Sequence, residues 1–177
     1  MLRRTFLLGA GASLLCPVPD GLAEVRAGVL PCVRAGIQAA GPVPAAASAR
    51  ARLHEAARLR LVLGVRHALG KPYVWGAGGP LAFDCSGLIC WLYAHVGLKL
   101  PRTALEQGRI GLRVRDRLAL GDVLLFRSSR SPSGWHTGMY LRGRVFVHAA
   151  GRDRGVTLSL LDTRRLRRLA SVRRYLA

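Results

Sequence analysis

The sequence predicts an α+β domain in which helices come first along the chain and strands follow. Apolar residues recur at helical spacing between about residues 51 and 96, and short β-branched and aromatic runs follow from about residue 123. A cysteine stands where one helix should begin, and two histidines fall within the later strands. Cysteine and histidine can supply a nucleophile and a proton carrier, so the pattern that defines the fold also indicates a cysteine hydrolase.

The first 23 residues have the features of an export signal. The basic pair Arg3-Arg4 precedes an apolar stretch that reaches Leu15 and is too short to span a bilayer, and Gly21-Leu22-Ala23 offers small residues for cleavage. Both the twin-arginine route and the general export route fit the basic pair, and an uncleaved amphipathic anchor is the alternative. Lipidation of Cys16 is disfavoured because Leu15 is bulky where a small residue should precede a lipidated cysteine. We therefore predict a signal peptide over residues 1–23 and an exported protein, in the periplasm or at the cell surface.

A linker and then a first helix should follow the signal. Residues 24–50 are rich in Ala, Pro and Gly with almost no large apolar residue after Ile37, which predicts a linker. From Ala51 the spacing is helical, and Gly70-Lys71-Pro72 ends the pattern. The residues that set this spacing are Leu53, Ala56, Leu59, Leu61, Val62 and Val65. We expect this helix to pack beside the next one.

A second helix is predicted from about Cys85 to Val96. Its apolar face consists of Leu88, Ile89, Leu92, Tyr93 and Val96. Asp84 is a suitable N-cap, because its carboxylate can accept hydrogen bonds from the free amides of the first turn, and Gly97 is typical of a helix end. Cys85 points to the same side as the apolar face, toward the layer on which the helix packs. Its place at the helix N-terminus should favour the thiolate through the helix dipole.

Two strands flank the loop Leu141-Arg142-Gly143, at about residues 134–140 and 144–149. A three-residue loop with glycine at its left-handed position predicts a hairpin in which Tyr140 opposes Arg144.

The same register places two imidazoles side by side. Counting back along both strands puts His136 opposite His148, and directly opposed residues have Cβ atoms about 4.5–5.5 Å apart. One imidazole could then deprotonate the thiol of Cys85 while the other orients the first. A register slip of one residue would move one histidine to the other face of the sheet.

Shorter patterns predict the remaining elements. A short helix is expected over about Thr103–Arg109, and further strands over about Val123–Phe126, Val156–Leu160 and Leu169–Leu176. Asp122 follows Gly121 just before the first of these strands, so we expect its carboxylate to accept from nearby backbone amides in a turn.

Six short motifs in a fixed order resemble the NlpC-type family of bacterial cell-wall cysteine peptidases. They are Lys71–Gly76, Phe83–Leu88, Leu100–Thr103, Gly121–Phe126, Trp135–Tyr140 and Phe146–Ala149, and the match spans roughly residues 53–176. The resemblance implies a papain-like fold over residues 51–177, with N-terminal helices packed on a small antiparallel β-sheet and the nucleophile at the N-terminus of a helix. Members of the family mostly hydrolyse amide bonds in peptidoglycan stem peptides, typically the bond from γ-D-glutamate to a diamino acid.

The same resemblance assigns roles to individual residues. It makes Cys85 the nucleophile, His136 the general base and acid, and His148 the residue that orients His136. Tyr73 matches a tyrosine whose hydroxyl lies beside the thiol, where it can hold substrate or the developing oxyanion. The backbone amide of Cys85 is a natural second oxyanion donor. Neither a metal nor another cofactor is required.

Two further positions match residues that contact substrate in some relatives. Asp84 and Ser86 stand where those relatives bind the free amine of a stem peptide. Ala77 departs from the family pattern, because many relatives have two consecutive glycines at this point of the loop, and it bears on the loop's shape rather than on the chemistry.

The other cysteines are interpreted as non-catalytic. Removal of the signal would leave Cys32, Cys85 and Cys90, an odd number that predicts at least one free thiol, assigned to Cys85. Cys90 falls off the main apolar face, so a half-buried small side chain is favoured over a bridge to Cys32. A zinc site of Cys85, Cys90 and His95 is excluded because spacings of five do not align ligands on one helical face. His95 is expected at the surface near the helix end.

The charge is strongly positive, with 28 Lys and Arg against 9 Asp and Glu, a formal net charge of +19. Such a charge attracts polyanions, which outside the cytoplasm are anionic wall polymers and membrane surfaces. The densest patch is Arg164, Arg165, Arg167, Arg168, Arg173 and Arg174, for which a solvated face around the last strand is the alternative interpretation. No recognised DNA- or RNA-binding motif accompanies the arginines, so no nucleic-acid partner is expected.

The sequence thus predicts an exported cysteine peptidase that hydrolyses peptidoglycan stem peptides through a thioester acyl-enzyme. An acyltransferase or amidase on the same fold would use the same thioester with a different acyl donor or acceptor. A catalytically inactive basic module that binds wall polyanions is the third hypothesis, which the intact Cys, His and His set disfavours.

Overall fold

The computed structural model describes residues 45–176 of the 177-residue chain, with side chains from residue 49 onward. The predicted signal peptide, nearly all of the predicted linker, Cys16 and Cys32 lie outside the described residues. The helices are α1 (Ala45–Ala68), α2 (Cys85–Ala94), α3 (Ala104–Gln107) and α4 (Thr163–Leu166). The strands are β1 (Leu112–Arg113), β2 (Val123–Arg127), β3 (Trp135–Arg142), β4 (Val145–Ala149), β5 (Val156–Leu160) and β6 (Leu169–Arg174).

The strands form one antiparallel sheet in the order β1-β6-β2-β3-β4-β5. The last strand, β6, is therefore interior to the sheet, paired on both sides. Helix α2 packs chiefly against β3, so the fold consists of a helical layer on an antiparallel sheet, as the sequence predicts. Across residues 45–176, none of the helices has the length and apolar character needed to cross a membrane.

Each face of the sheet has its own hydrophobic core. The core between the helices and the sheet includes Leu61, Leu88, Ile89, Leu92, Met139 and Val147. The core on the other face includes Leu124, Phe126, Phe146, Leu161 and Val172. Full burial of one such side chain stabilises the fold by about 1.5–3 kcal/mol, so both faces are anchored.

Helix α1 differs from its prediction at its start and in its apolar face. It begins at Ala45, inside the predicted linker, because the alanine-rich run there has high intrinsic helix propensity. Of the predicted face only Leu61 and Val65 are buried, whereas Leu53 is 70% exposed and Leu59 is 58% exposed. The packed part of α1 is its C-terminal half, where a Cβ on Gly64 would lie 2.9 Å from the Leu92 side chain.

The hairpin between β3 and β4 has a different register from the predicted one. The turn contains two residues, Gly143 and Arg144, both with positive φ (52° and 68°), which is the two-residue arrangement that matches strand twist. Tyr140 pairs with Phe146, not with Arg144, and an irregularity at Leu141 takes up the extra residue. The predicted three-residue loop is therefore wrong, and the register is shifted by two residues.

This shift changes the partner of His148 but not its face. Continued along the strands, the observed register places Gly138, not His136, opposite His148. Because the shift is an even number of residues, both histidines stay on one face of the sheet. They are diagonal rather than directly opposed neighbours, which still lets long side chains meet.

The remaining elements lie close to their predictions. Strand β5 has the predicted bounds, β2 is one residue longer, α2 ends two residues earlier at Ala94, and β6 ends at Arg174. Thr103 caps the short helix α3, and Asp122 accepts from the Ala119 amide at 2.8 Å, as expected for a turn. Strand β1 was not predicted because two residues are too few to show a period, and helix α4 was not predicted either.

Candidate active site

Cys85 is the first residue of α2, and the segments before it are held by backbone hydrogen bonds. Asp84 caps the helix, its Oδ1 accepting from the Gly87 amide at 2.6 Å. Phe83 pairs with the segment at Tyr73, since the Val74 amide donates to the Phe83 carbonyl at 3.1 Å. These bonds bring the phenol-bearing segment next to the start of the helix.

Gly87 explains why the motif requires glycine two residues after the cysteine. A Cβ at this position would lie 2.1 Å from the carbonyl oxygen of Ala77, a distance that real contacts do not allow. That same carbonyl accepts from the Asp84 amide at 2.9 Å. The loop that contains Ala77 therefore lies directly on the first turn of α2. This loop accommodates Ala77, the residue that departs from the family pattern.

One cavity of about 960 Å³ brings most of the predicted site residues together. Its lining includes Tyr73, Cys85, His136 and His148, with Trp75 at its edge. The backbone amide of Thr137, the neighbour of His136, lies near enough to the Cys85 thiol to lower its pKa. The thiol thus lies at the start of β3, where the first histidine is attached.

The histidines approach the cavity from the face of the sheet that α2 does not cover. Their rings pack near Phe126 and Phe146, whereas Met139 and Val147, which alternate with them along β3 and β4, face the helices. The layer on which α2 packs does carry the histidines, as predicted. Their side chains, however, project from the face of the sheet that α2 does not cover.

A chain of side-chain hydrogen bonds connects the two histidines to strand β5. His136 Nε2 lies 2.8 Å from His148 Nδ1, and His148 Nε2 lies 3.0 Å from Ser159 Oγ. Arg165 donates to the same hydroxyl oxygen at 3.4 Å. Because Nε2 of His136 is occupied, Nδ1 is the ring atom that remains available for another partner.

Ser159 and Arg165 were not identified as site residues from the sequence. Ser159 pairs with Phe146 in the sheet and so lies diagonal to His148 on the same face. The proximity of Ser159 to His148 depends on the register between β4 and β5, which the periodicity within one strand does not predict. The arginine patch that includes Arg165 was noted, but α4, which places that side chain over Phe146 at 5.7 Å, was not predicted.

Burial shifts the pKa values of the candidate catalytic groups. It raises the pKa of the Cys85 thiol, and hydrogen bonds from the Thr137 and Ser86 amides only partly offset it. It lowers the pKa of His136 to about 4 and that of His148 to about 3, with Arg165 and Arg154 adding to the shift by charge repulsion. Burial thus favours the neutral forms of both the thiol and the imidazole, whereas the helix dipole alone would favour the thiolate.

Tyr73 supplies a protonated hydroxyl to the cavity. Burial raises its pKa, and the neighbouring Cys85 and Asp84 add to the effect because each would repel a phenolate. The phenol therefore remains a hydrogen-bond donor at neutral pH, which is the state needed to hold a carbonyl oxygen or an oxyanion.

Asp84 and Ser86 are placed beside the thiol but do not line the cavity. Arg102 donates to Asp84 at 2.5 Å and to Ser86 Oγ at 3.0 Å, and the Gly76 amide also donates to Asp84 at 2.9 Å. Burial alone would raise the pKa of Asp84, yet the hydrogen bonds from Arg102 and Gly87 outweigh it and leave the pKa lowered. Both side chains are thus engaged in supporting the loop and the helix start.

Cys90 is a free, half-buried thiol, as predicted. Its sulfur contacts the Pro101 carbonyl at 3.2 Å and Nε2 of Gln107 at 3.3 Å, which ties α2 to α3. His95 is exposed and ends α2, with its Nδ1 atom 2.8 Å from the Trp91 carbonyl. Within residues 45–176 no three His, Cys, Asp or Glu side chains are placed to hold a metal ion.

Comparison with known proteins identifies the family. The sequence model of the NlpC/P60 family matches residues 70–174. The chain belongs to the NlpC/P60 family. The resemblance stated from the six motifs is thereby confirmed.

Individual relatives agree with this placement. A probable endopeptidase of Corynebacterium glutamicum is 38% identical over 103 residues, which cover 58% of this chain and 47% of that protein. A gamma-D-glutamyl-L-lysine dipeptidyl-peptidase of Bacillus cereus is 32% identical over 111 residues, covering 61% of this chain and 33% of that protein. The chain thus spans half or less of the length of these two relatives.

Solved structures show the same fold. The crystal structure of an NlpC/P60 family protein from Bacillus cereus superimposes with a TM-score of 0.62 at 29% identity, covering 68% of this chain and 40% of that one. Its likeness, together with the helical layer on an antiparallel sheet, confirms the predicted α+β papain-like fold.

Proposed function

We propose that this protein is a cysteine peptidase that hydrolyses amide bonds in the peptide stems of peptidoglycan. The observation that carries the proposal is the cavity in which Cys85, His136 and His148 meet, with the two imidazoles 2.8 Å apart. Family membership supports it, since relatives are named endopeptidases. The name of the Bacillus cereus relative supports a γ-D-glutamyl bond to a diamino acid as the bond that is cut.

The reaction begins with a thiol rather than a stored thiolate. His136 takes the Cys85 proton at Nδ1 while the sulfur attacks the carbonyl carbon of the substrate. The carbonyl oxygen becomes an oxyanion, and we assign the Cys85 amide at the helix start and the Tyr73 hydroxyl as its hydrogen-bond donors. His136 then gives its proton to the leaving amine, which departs and leaves a thioester.

Hydrolysis of the thioester reverses these roles. Neutral His136 takes a proton from water as the water oxygen attacks the thioester carbonyl, and the carboxylic acid product leaves as the Cys85 thiol is regenerated. His148 holds the ring of His136 throughout. In the alternative activity, acyl transfer, an amine would replace water in this second step.

The proposal includes export, supported by the basic and apolar pattern of residues 1–23. The substrate and the anionic wall polymers that a charge of +19 would attract both lie outside the cytoplasm. Fusion of residues 1–23 to a reporter that is active only outside the cytoplasm tests this part, with the variant Arg3→Gln, Arg4→Gln as its control. A reporter that stays inactive would contradict export.

Mass spectrometry of defined stem peptides after incubation with the purified full chain tests the activity. We expect cleavage after γ-D-glutamate with the native chain and none with Cys85→Ala, which should keep the fold because the change removes only a sulfur atom. A new amide instead of a free acid would favour acyl transfer. Cleavage that persists in Cys85→Ala would contradict the thioester mechanism, and no turnover by the folded native chain would favour a binding module.

A further inference from the structure

Three separate segments bring arginines to the wall of the catalytic cavity. Seven arginines line it, namely Arg127 at the end of β2 and Arg130 after it, Arg152 and Arg154 between β4 and β5, and Arg164, Arg165 and Arg168 in or just after α4. The acidic side chains in the same lining are those of Asp153 and Asp162. The cavity wall is therefore cationic on several sides at once, unlike a charge run along a single exposed face.

Most of these guanidinium groups are not used by the fold. Asp162 is paired with Arg165 at 2.6 Å, and Arg127 stacks on Trp135 at 5.8 Å. Within residues 49–176 the side chains of Arg130, Arg152, Arg154, Arg164 and Arg168 are exposed and form no hydrogen bond or ion pair with the rest of the protein.

Arginines that stabilise the fold differ from these in having carboxylate partners. Arg102 and Arg174 each make close contacts to a buried carboxylate, at 2.5 Å from Asp84 and 2.7 Å from Asp122. Five of the seven cavity arginines, by contrast, have guanidinium donors without a protein partner in the part of the chain that the structure describes. Free guanidinium groups match carboxylates in both charge and geometry.

Two of the free arginines lie within electrostatic reach of the reacting groups. Arg154 disfavours the protonated forms of His136 and His148, and Arg152 favours the ionised form of Tyr73. Charges that act on the catalytic side chains also act on a substrate bound between them. A carboxylate near the scissile bond would be attracted by the same guanidinium groups.

We propose that the cavity selects substrates with free carboxylates beside the scissile bond and disfavours those in which carboxamides replace them. Arg152 and Arg154, on the turn between β4 and β5, are the specificity residues. The inference rests on the proposed function, because a γ-glutamyl bond leaves the α-carboxylate free on the same residue as the scissile carbonyl. A substrate with a carboxamide in place of that α-carboxylate would present no such charge there.

The test compares two synthetic stem peptides that differ only in a carboxylate or a carboxamide on the γ-linked glutamate. We expect the full chain to cleave the acid with at least about tenfold higher kcat/KM, because a charged hydrogen bond contributes about 1.5–3 kcal/mol. The ratio should approach one in the double variant Arg152→Gln, Arg154→Gln. The ratio should be unchanged in the variant Arg66→Gln, because Arg66 is an exposed residue of α1 outside the cavity. Added salt should reduce it in the native chain.

Calorimetric binding to Cys85→Ala separates this inference from the proposed function. Tighter binding of the acid than of the amide, lost in the double variant, supports the inference even without turnover. Equal cleavage of both peptides by the native chain overturns the inference and leaves the peptidase intact. A double variant that loses affinity for a polyphosphate polymer while keeping its preference for the acid also overturns it, because the arginines would then serve an anionic polymer.

Discussion

His136 and His148 share a hydrogen bond of 2.8 Å between Nε2 of the first and Nδ1 of the second. If His136 is to receive the thiol proton at Nδ1, its Nε2 must carry hydrogen and donate to His148. His148 then carries its own hydrogen on Nε2, where the acceptor is Ser159 Oγ at 3.0 Å. One tautomer of each ring satisfies the whole chain of hydrogen bonds, and it is the one that the proposed mechanism requires.

Ser159 should therefore matter to the reaction although it touches no substrate. Ser159→Ala removes the acceptor for His148, and we expect kcat to fall by about 2–10-fold with KM unchanged, since one hydrogen bond contributes about 0.5–1.5 kcal/mol. Ser159→Thr keeps a hydroxyl and should restore most of the loss. Steady-state kinetics of both variants checks this, and equal losses in the two would assign Ser159 a packing role.

The acid limb of the activity profile should lie well below pH 6.5. The active form has neutral His136, whose pKa is lowered to about 4, so kcat/KM should persist at pH 5 and decline only below it. Arg154→Gln removes one repelling charge and should move the limb to higher pH. Measurement of kcat/KM for the native chain and this variant between pH 3.5 and 8 locates the acid limb of each. A limb near pH 6.5 in the native chain would be inconsistent with a desolvated imidazole.

Fold stability should decline at a higher pH than activity does, beginning below about pH 6.5. Both histidines have a folded pKa below the ordinary value of 6.5, so the unfolded chain binds more protons once the pH drops under 6.5. Each histidine should lower the free energy of unfolding by about 1.4 kcal/mol per pH unit, down to about pH 4 for His136. Urea denaturation at pH 7, 6 and 5 measures the slope. His136→Gln should reduce it, and an unchanged slope would show that other groups cause it.

Gly87→Ala should disrupt both stability and activity. The added methyl would lie 2.1 Å from the Ala77 carbonyl oxygen, so either the loop or the first turn of α2 must move. We expect a loss of about 1–3 kcal/mol, as for other overpacked sites, together with a large loss of kcat. Gly78→Ala is the matched control, because a Cβ there meets nothing within 4 Å. Thermal denaturation and kinetics of the two variants compare them, and similar behaviour would refute the close contact.

Much of the site could be predicted because its parts are local in sequence. The N-cap at Asp84 and the apolar stripe of α2 depend on neighbours within one or two turns, and these local preferences agree with the final fold. The contact between the histidines was also predicted, although the loop assumed for it was wrong. The predicted register was wrong by two residues, and both histidines still lie on one face of the sheet because side chains alternate with a period of two.

The unpredicted parts depend on partners far apart in the chain. Ser159 reaches His148 only through strand register, and Arg102 reaches Asp84 from a loop 18 residues away. On α1, regular apolar spacing did not show that Leu53 and Leu59 lack a layer to pack on. The raised pKa of Cys85 follows from burial, which one helix viewed in isolation does not reveal.

The interior position of β6 limits how early the sheet can be completed. Until residues 169–174 have been synthesised, β2 lacks its neighbour and the fully buried carboxylate of Asp122 lacks the guanidinium of Arg174. A growing chain can thus form the β2–β5 meander and bring the histidines together, while one edge of that meander stays open. The step that closes the sheet therefore waits for the final strand, and a chain that ends before residue 169 would leave that edge of β2 unpaired.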